Sequence, residues 1–188
     1  MKCQASFLPP EPPSHDFAGD FSVHTLHFGI REHAMGNIVN AINTGPFFRH
    51  MSMKVTEIGP GYSAVLMRVG KKHMNPFGGL HGGVYASAID TAAYWSAYCD
   101  LPEDSGLVTI DLKVDFLAPV LHEKIMINGQ RIKSGKTICL AEAKMCDGNG
   151  KVLAHGTSKL MVIRGKQCIQ DVVDYVGSSR LPPKFLGS

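Results

Sequence analysis

The sequence predicts an α+β domain in which an antiparallel sheet wraps around one long central buried helix. Three observations predict it. A hairpin pattern lies before residue 70, a fifteen-residue stretch follows that is small or apolar on every side, and strand-like runs fill the rest. A helix apolar all round has no face for solvent, so it belongs inside a core. The 188 residues suit one such domain. A chain of that size buries about 70% of its unfolded surface and needs no disulfide staples.

Residues 1–22 are proline-rich and aperiodic, which reads as a loosely draped leader. From Ile30 to Ile42, apolar residues recur at spacings of three and four, the pattern of an amphipathic helix, and Thr44-Gly45-Pro46 stops it. The period then changes to two: Met51–Ile58 and Tyr62–Val69 flank Gly59-Pro60-Gly61 as a hairpin. Val84 to Tyr98 is the small-or-apolar segment, about 22 Å long as a helix and enough to cross a small sheet.

In Leu107–Leu117, Val108, Ile110, Leu112, Val114 and Phe116 alternate with Thr109, Asp111, Lys113 and Asp115, predicting one buried and one wetter face. Lys124–Ile132 and Thr137–Met145 follow, joined by Ser134-Gly135-Lys136. Asp147-Gly148-Asn149-Gly150 turns the chain into Lys151–Ile163. Ile169, Val172, Val173 and Val176 suggest a short helix in the tail.

Composition narrows the function. A formal charge of +3 is too small to advertise a nucleic-acid surface, and no run of 18 apolar residues predicts a membrane span. The start of the chain lacks the apolar stretch of a secretory signal. Five cysteines without a C-x-x-C pair fit a reduced, cytoplasmic setting better than a disulfide framework or zinc site. His24, His27 and His33 have no carboxylate or cysteine at metal-ligand spacing, so no metal is expected.

The chemistry concentrates between Asn75 and Asp90. Asp90 sits about two turns inside the apolar helix, too deep for a cap. A buried carboxylate there must be hydrogen-bonded, protonated or at work in a cleft; from the helix alone, a structural and a functional carboxylate weigh evenly. Upstream, Gly82 and Gly83 open the helix, where backbone N–H groups lie at the positive end of its dipole. Such donors suit a carbonyl oxygen that becomes negative during reaction. No Gly-x-Ser-x-Gly elbow and no phosphate-cradling loop competes with this set.

Asn75, His81-Gly82-Gly83 and an Asp90 nine residues after the histidine resemble the signature of hotdog-fold acyl-CoA thioesterases, closest to the PaaI-like (phenylacetyl-CoA thioesterase-like) branch. The resemblance continues through Val108–Pro119 and Lys133–Thr137 and covers about residues 47–163. It divides the chain into a leader with helix (1–46), a hotdog thioesterase domain (47–164) and a tail (165–188). It implies hydrolysis of small-to-medium acyl- or aryl-CoA thioesters, with coenzyme A part of the substrate and no separate cofactor.

The roles it implies are specific. The Gly82 amide polarises the thioester carbonyl, and Asp90 of the other subunit is base or nucleophile. Asn75 orients water or carboxylate, Thr109 is a hydroxyl helper, and His81 shapes the turn. It further implies a homodimer, extending to a homotetramer, with Gly83, Arg131, Lys133, Gly135 and Lys136 on the substrate side. The cluster Lys71-Lys72-His73 is a second basic candidate for the phosphates, and Phe77, Tyr94, Trp95 and Tyr98 are candidates for the acyl group. The competing function is a non-catalytic acyl-CoA-binding hotdog protein, a sensor or regulator. An enoyl-CoA hydratase is a weaker competitor, since His81 precedes Asp90 rather than following it.

Overall fold

The computed structural model describes residues 32–177; the leader before residue 32, with His24 and His27, and the Leu181-Pro182-Pro183 end of the tail lie outside them. Helix α1 spans Glu32–Asn43 and α2 spans Pro46–His50, started by Pro46 in its first turn. Strands β1 (Met53–Gly59) and β2 (Tyr62–Arg68) form the expected hairpin. Helix α3 runs from Gly82 to Tyr98. Strands β3 (Ser105–Phe116), β4 (Lys124–Lys133), β5 (Ile138–Cys146) and β6 (Val152–Arg164) follow, and α4 (Ile169–Val176) completes the described chain.

All six strands form one antiparallel sheet in the order β1-β2-β4-β5-β6-β3. The chain crosses from β2 through α3 to the far edge, lays down β3 there, and returns to fill the middle. The sheet closes on α3, whose Ala88, Ile89, Ala92, Ala93 and Ala97 are fully buried.

Close approach depends on missing side chains. A Cβ on Gly129 of β4 would collide with the backbone carbonyl of Ala92, and one on Gly156 of β6 would lie 2.6 Å from the Lys113 carbonyl and 2.7 Å from Ile89 Cγ2. Beside Gly129, the buried Ser63 hydroxyl donates to the Ala92 carbonyl oxygen at 2.6 Å.

The two sheet edges differ. On β1, the Asn43 side chain of α1 accepts from the Val55 N–H at 2.9 Å and donates to the Val55 carbonyl at 2.8 Å, which ties that edge to a helix. The β3 edge has Ile110 half-exposed, with Phe116 and Leu117 each 58% exposed.

β3 also departs from simple alternation. Thr109 pairs with Leu160 and Asp111 with Lys159, so Ile110 is an extra, bulged residue. Before the bulge Leu107 and Thr109 face the helix; after it Leu112 and Val114 do. A bulge reverses the facing of everything beyond it. Thr109, expected on the wetter face, is therefore turned toward α3.

Gly129→Ala tests the helix–sheet contact. It should lower stability by about 1–3 kcal/mol, as overpacked core sites do, read as a lower urea midpoint with an unchanged slope.

Candidate active site

Asp90 is the natural starting point because it is the one carboxylate on an enclosed helix. The Thr109 hydroxyl of β3 donates to its Oδ1 at 2.9 Å, and the Ser158 hydroxyl of β6 donates to the same oxygen at 3.3 Å. No described residue hydrogen-bonds Oδ2. Burial pushes the Asp90 carboxyl above the ordinary carboxylate range, and the two hydroxyls pull it partly back. An acid with a raised pKa and one oxygen to spare is suited to accepting a proton.

Ser158 is fully buried and was not anticipated. Its signal is a hydroxyl at an inward position of β6, between Gly156 and Leu160, where the alternation calls for an apolar residue.

The residues before α3 form a second group. The Asn75 side-chain oxygen accepts from the N–H groups of Phe77 at 3.0 Å and Gly79 at 3.1 Å, while Asn75 N–H donates to the Gly79 carbonyl. That fixes the loop in a tight turn and leaves the Asn75 amide nitrogen for a ligand. His81 is the N-cap: its Nδ1 accepts from the Gly83 N–H at 2.9 Å. His81 thus shapes the turn and uses up the Gly83 amide. Gly82, in the first helical position, keeps an N–H with no acceptor among the described residues.

The two groups are separate within one chain. Gly82 and Asp90 are eight positions apart on the helix, about 12 Å along its axis. One thioester carbon cannot touch both.

Asp90 opens onto a groove of about 1170 Å³ bounded by α2, the second half of α3 and α4. Tyr94, Trp95 and Tyr98 line it, with Tyr94 and Tyr98 stacked at 6.0 Å between ring centroids. Burial pushes the Tyr94 hydroxyl up to about 12, so it stays protonated at neutral pH. Phe77 is not part of this wall; it stands 96% exposed in the loop before α3.

The basic residues do not form one patch. Arg131 is ion-paired with Asp100 at the end of α3. Lys133, Gly135 and Lys136 lie in the β4–β5 hairpin, with both lysines exposed. Lys71 and Lys72 are at the other end of β4, about 30 Å along that strand. Their neighbour His73 is buried, its Nδ1 accepts from the Gly70 N–H, and burial lowers its pKa, so it does not add charge to the cluster. Among the described residues, no group of three His, Cys, Asp or Glu could hold a metal ion. No described helix is long and apolar enough to cross a membrane.

Comparison with known proteins agrees with this architecture. Residues 77–154, from the loop before α3 into β6, match the family model of the thioesterase superfamily. The chain is 27% identical over 127 residues to acyl-coenzyme A thioesterase 13 of Homo sapiens, covering 65% of this chain and 90% of that protein. The Mus musculus protein of that name is 29% identical over 115 residues, 59% of this chain and 81% of its own length. Among solved structures, a thioesterase from Haemophilus influenzae superposes with a TM-score of 0.65 at 23% identity, over 70% of this chain and 92% of that one, a likeness of fold. Zebrafish thioesterase superfamily member 2 gives a TM-score of 0.59 at 26% identity, over 66% and 93%. With a six-stranded antiparallel sheet around one buried helix and the matched segment spanning that helix, the chain has the hotdog fold of the thioesterases it resembles.

Proposed function

We propose that the protein is an acyl-CoA thioesterase that works as a homodimer, with Asp90 as the proton acceptor. The observation that carries this reading is the Asp90 carboxylate: raised in pKa, held by two hydroxyls through one oxygen, and opening onto an apolar groove. The relatives named acyl-coenzyme A thioesterase support the choice of substrate.

In this reading the thioester carbonyl oxygen rests on the Gly82 amide of one copy, and Asp90 of the other copy activates the water. Water adds to the acyl carbon while its proton passes to Asp90. The oxyanion formed is held by the Gly82 N–H at the helix dipole's positive end. Collapse breaks the C–S bond, and the thiolate takes up a proton as free coenzyme A leaves. Attack by Asp90 itself, through a mixed anhydride, uses the same geometry. The chain's own residues carry every step, and no cofactor is invoked.

A second copy supplies what one chain lacks. β3 is a twelve-residue edge strand with exposed apolar side chains, whereas β1 is tied to α1. Long unprotected edges pair with other chains. Pairing β3 with β3 about a two-fold axis is self-complementary and sets the Gly82 end of one helix toward Asp90 of the other. It also brings one copy's Lys133–Lys136 hairpin closer to the other's Lys71 and Lys72, which gives phosphate charges two neighbouring sources of cations.

Asp90 also separates a working carboxylate from a structural one. Its folded pKa lies above the unfolded value, so its stabilising contribution is complete below the unfolded pKa and is lost as pH rises through the folded pKa. Asp90→Asn should therefore raise Tm at neutral pH, about 2–4 °C for each kcal/mol recovered, and the gain should vanish in acid. A lowered Tm would mark Asp90 as structural.

In a thiol-release assay, Asp90→Ala should cut kcat by about 10²–10⁴ with the fold intact by circular dichroism. Undiminished turnover would refute the assignment, and tight acyl-CoA binding without thiol release in the wild type would mark a non-catalytic binder. Thr109→Val removes a hydrogen bond that favours the ionised form, so the acidic limb of the kcat profile should move to higher pH.

Ile110→Glu places like charges near the proposed two-fold axis. Light scattering should show a monomer, with activity lost in parallel; a fully active monomer would overturn the shared site.

A further inference from the structure

The groove continues well past Asp90. Asp90, Tyr94 and Tyr98 are spaced by four residues and lie on one stripe of α3, so the groove follows the helix for about 12 Å beyond the carboxylate. At its far end stands α4. Cys168 and Asp171, at the start of that helix, lie close enough to Tyr98 to perturb its hydroxyl electrostatically.

α4 is held in place by its other side. Val173 is buried, Ile169 packs against the core, the Cys168 N–H donates to Asp171 Oδ2 at 2.9 Å, and Gly177 ends the helix in the left-handed conformation. The face formed by Cys168, Val172, Tyr175 and Val176, spaced four, seven and eight from the first, lines the groove. This helix lies outside the segment 77–154 that matches the superfamily.

We propose that α4 is a chain-length ruler: the groove takes a linear medium-chain acyl group, and Val172 with its neighbours on α4 sets how long that chain can be. The inference rests on the thioesterase reading, which puts the acyl carbon at Asp90. A saturated chain with bonds of about 1.5 Å advances roughly 1.25 Å per bond, so 12 Å holds about nine or ten carbons. The groove's volume exceeds the roughly 300–1,000 Å³ of ordinary small-molecule sites. Its wall along the path is aromatic and aliphatic, with charged groups only at Asp90 and at the α4 rim (Lys166 and Asp171). An aryl group would occupy only the stretch nearest Asp90.

Two measurements test this. The first is kcat/KM over acetyl-, butanoyl-, octanoyl-, decanoyl-, hexadecanoyl- and phenylacetyl-CoA, for wild type, Val172→Trp and Val172→Ala. Each buried methylene is worth up to about fourfold, so wild-type kcat/KM should climb to a maximum near ten carbons. Val172→Trp should lower the decanoyl value about tenfold or more and leave butanoyl- and phenylacetyl-CoA within about twofold. Val172→Ala should move the maximum to longer chains, which keeps the test alive if the tryptophan variant fails to fold.

The second needs no turnover: calorimetric titration with the thioethers S-decyl-CoA and S-butyl-CoA. Wild type should bind the decyl compound at least about tenfold more tightly, and Val172→Trp should erase the difference. Failure to hydrolyse any thioester with this binding pattern intact would refute the thioesterase reading and leave the ruler standing. Hydrolysis with no length dependence, or with one that neither variant moves, would overturn the ruler.

Discussion

The enclosure of α3 by the sheet governs the rest of the molecule. The helix is small or apolar on most sides, so the sheet wraps around it and leaves the stripe of Ser87, Asp90, Thr91 and Tyr94 half-buried. That wrapping depends on Gly129 of β4, which meets the helix backbone at Ala92, and on Gly156 of β6, which makes room for the Ile89 side chain. Once the enclosure exists, a carboxylate on that helix is held away from bulk water. Asp90 tolerates this because two strands each bring a hydroxyl to it and because the groove leaves its second oxygen accessible. The packing that makes the core also raises the pKa of the carboxylate.

The same geometry makes each chain incomplete for the proposed chemistry. The helix that carries Asp90 begins with the open Gly82 amide, and a rigid helix cannot fold its start back onto its middle. Helix dipole, glycine amide and carboxylate belong to one element yet act at two places. The proposed dimer, two copies related by a two-fold axis, would resolve that and would hold two equivalent sites.

Much of this was legible in the sequence, and the reasons are local. The all-apolar run around Asp90 could be nothing but an enclosed helix, and period-two runs bounded by Gly-rich turns marked the strands. Asp90 stood out because a lone charge in such a run is costly. The Gly82 and His81 turn was legible from spacing, although the loss of the Gly83 amide to His81 depends on a ring orientation that no spacing encodes. Strand order was not legible, since nothing in β3 says that it crosses to the far edge. Ser158 was hidden because its partner is 68 residues away, and a single serine in a strand is unremarkable until the register is known. The groove depends on α4 packing beside α1, a long-range contact that amphipathic patterning alone does not specify.

The bulge at Ile110 divides β3 into two stretches of opposite facing. The first stretch turns Thr109 toward Asp90, and the second sends Phe116 to the edge beside the start of α3. One inserted residue therefore uncouples two duties that a regular strand would have to share. In the proposed dimer, exposed residues after the bulge such as Phe116 can change the contact between copies while Thr109 keeps its hydrogen bond to the carboxylate.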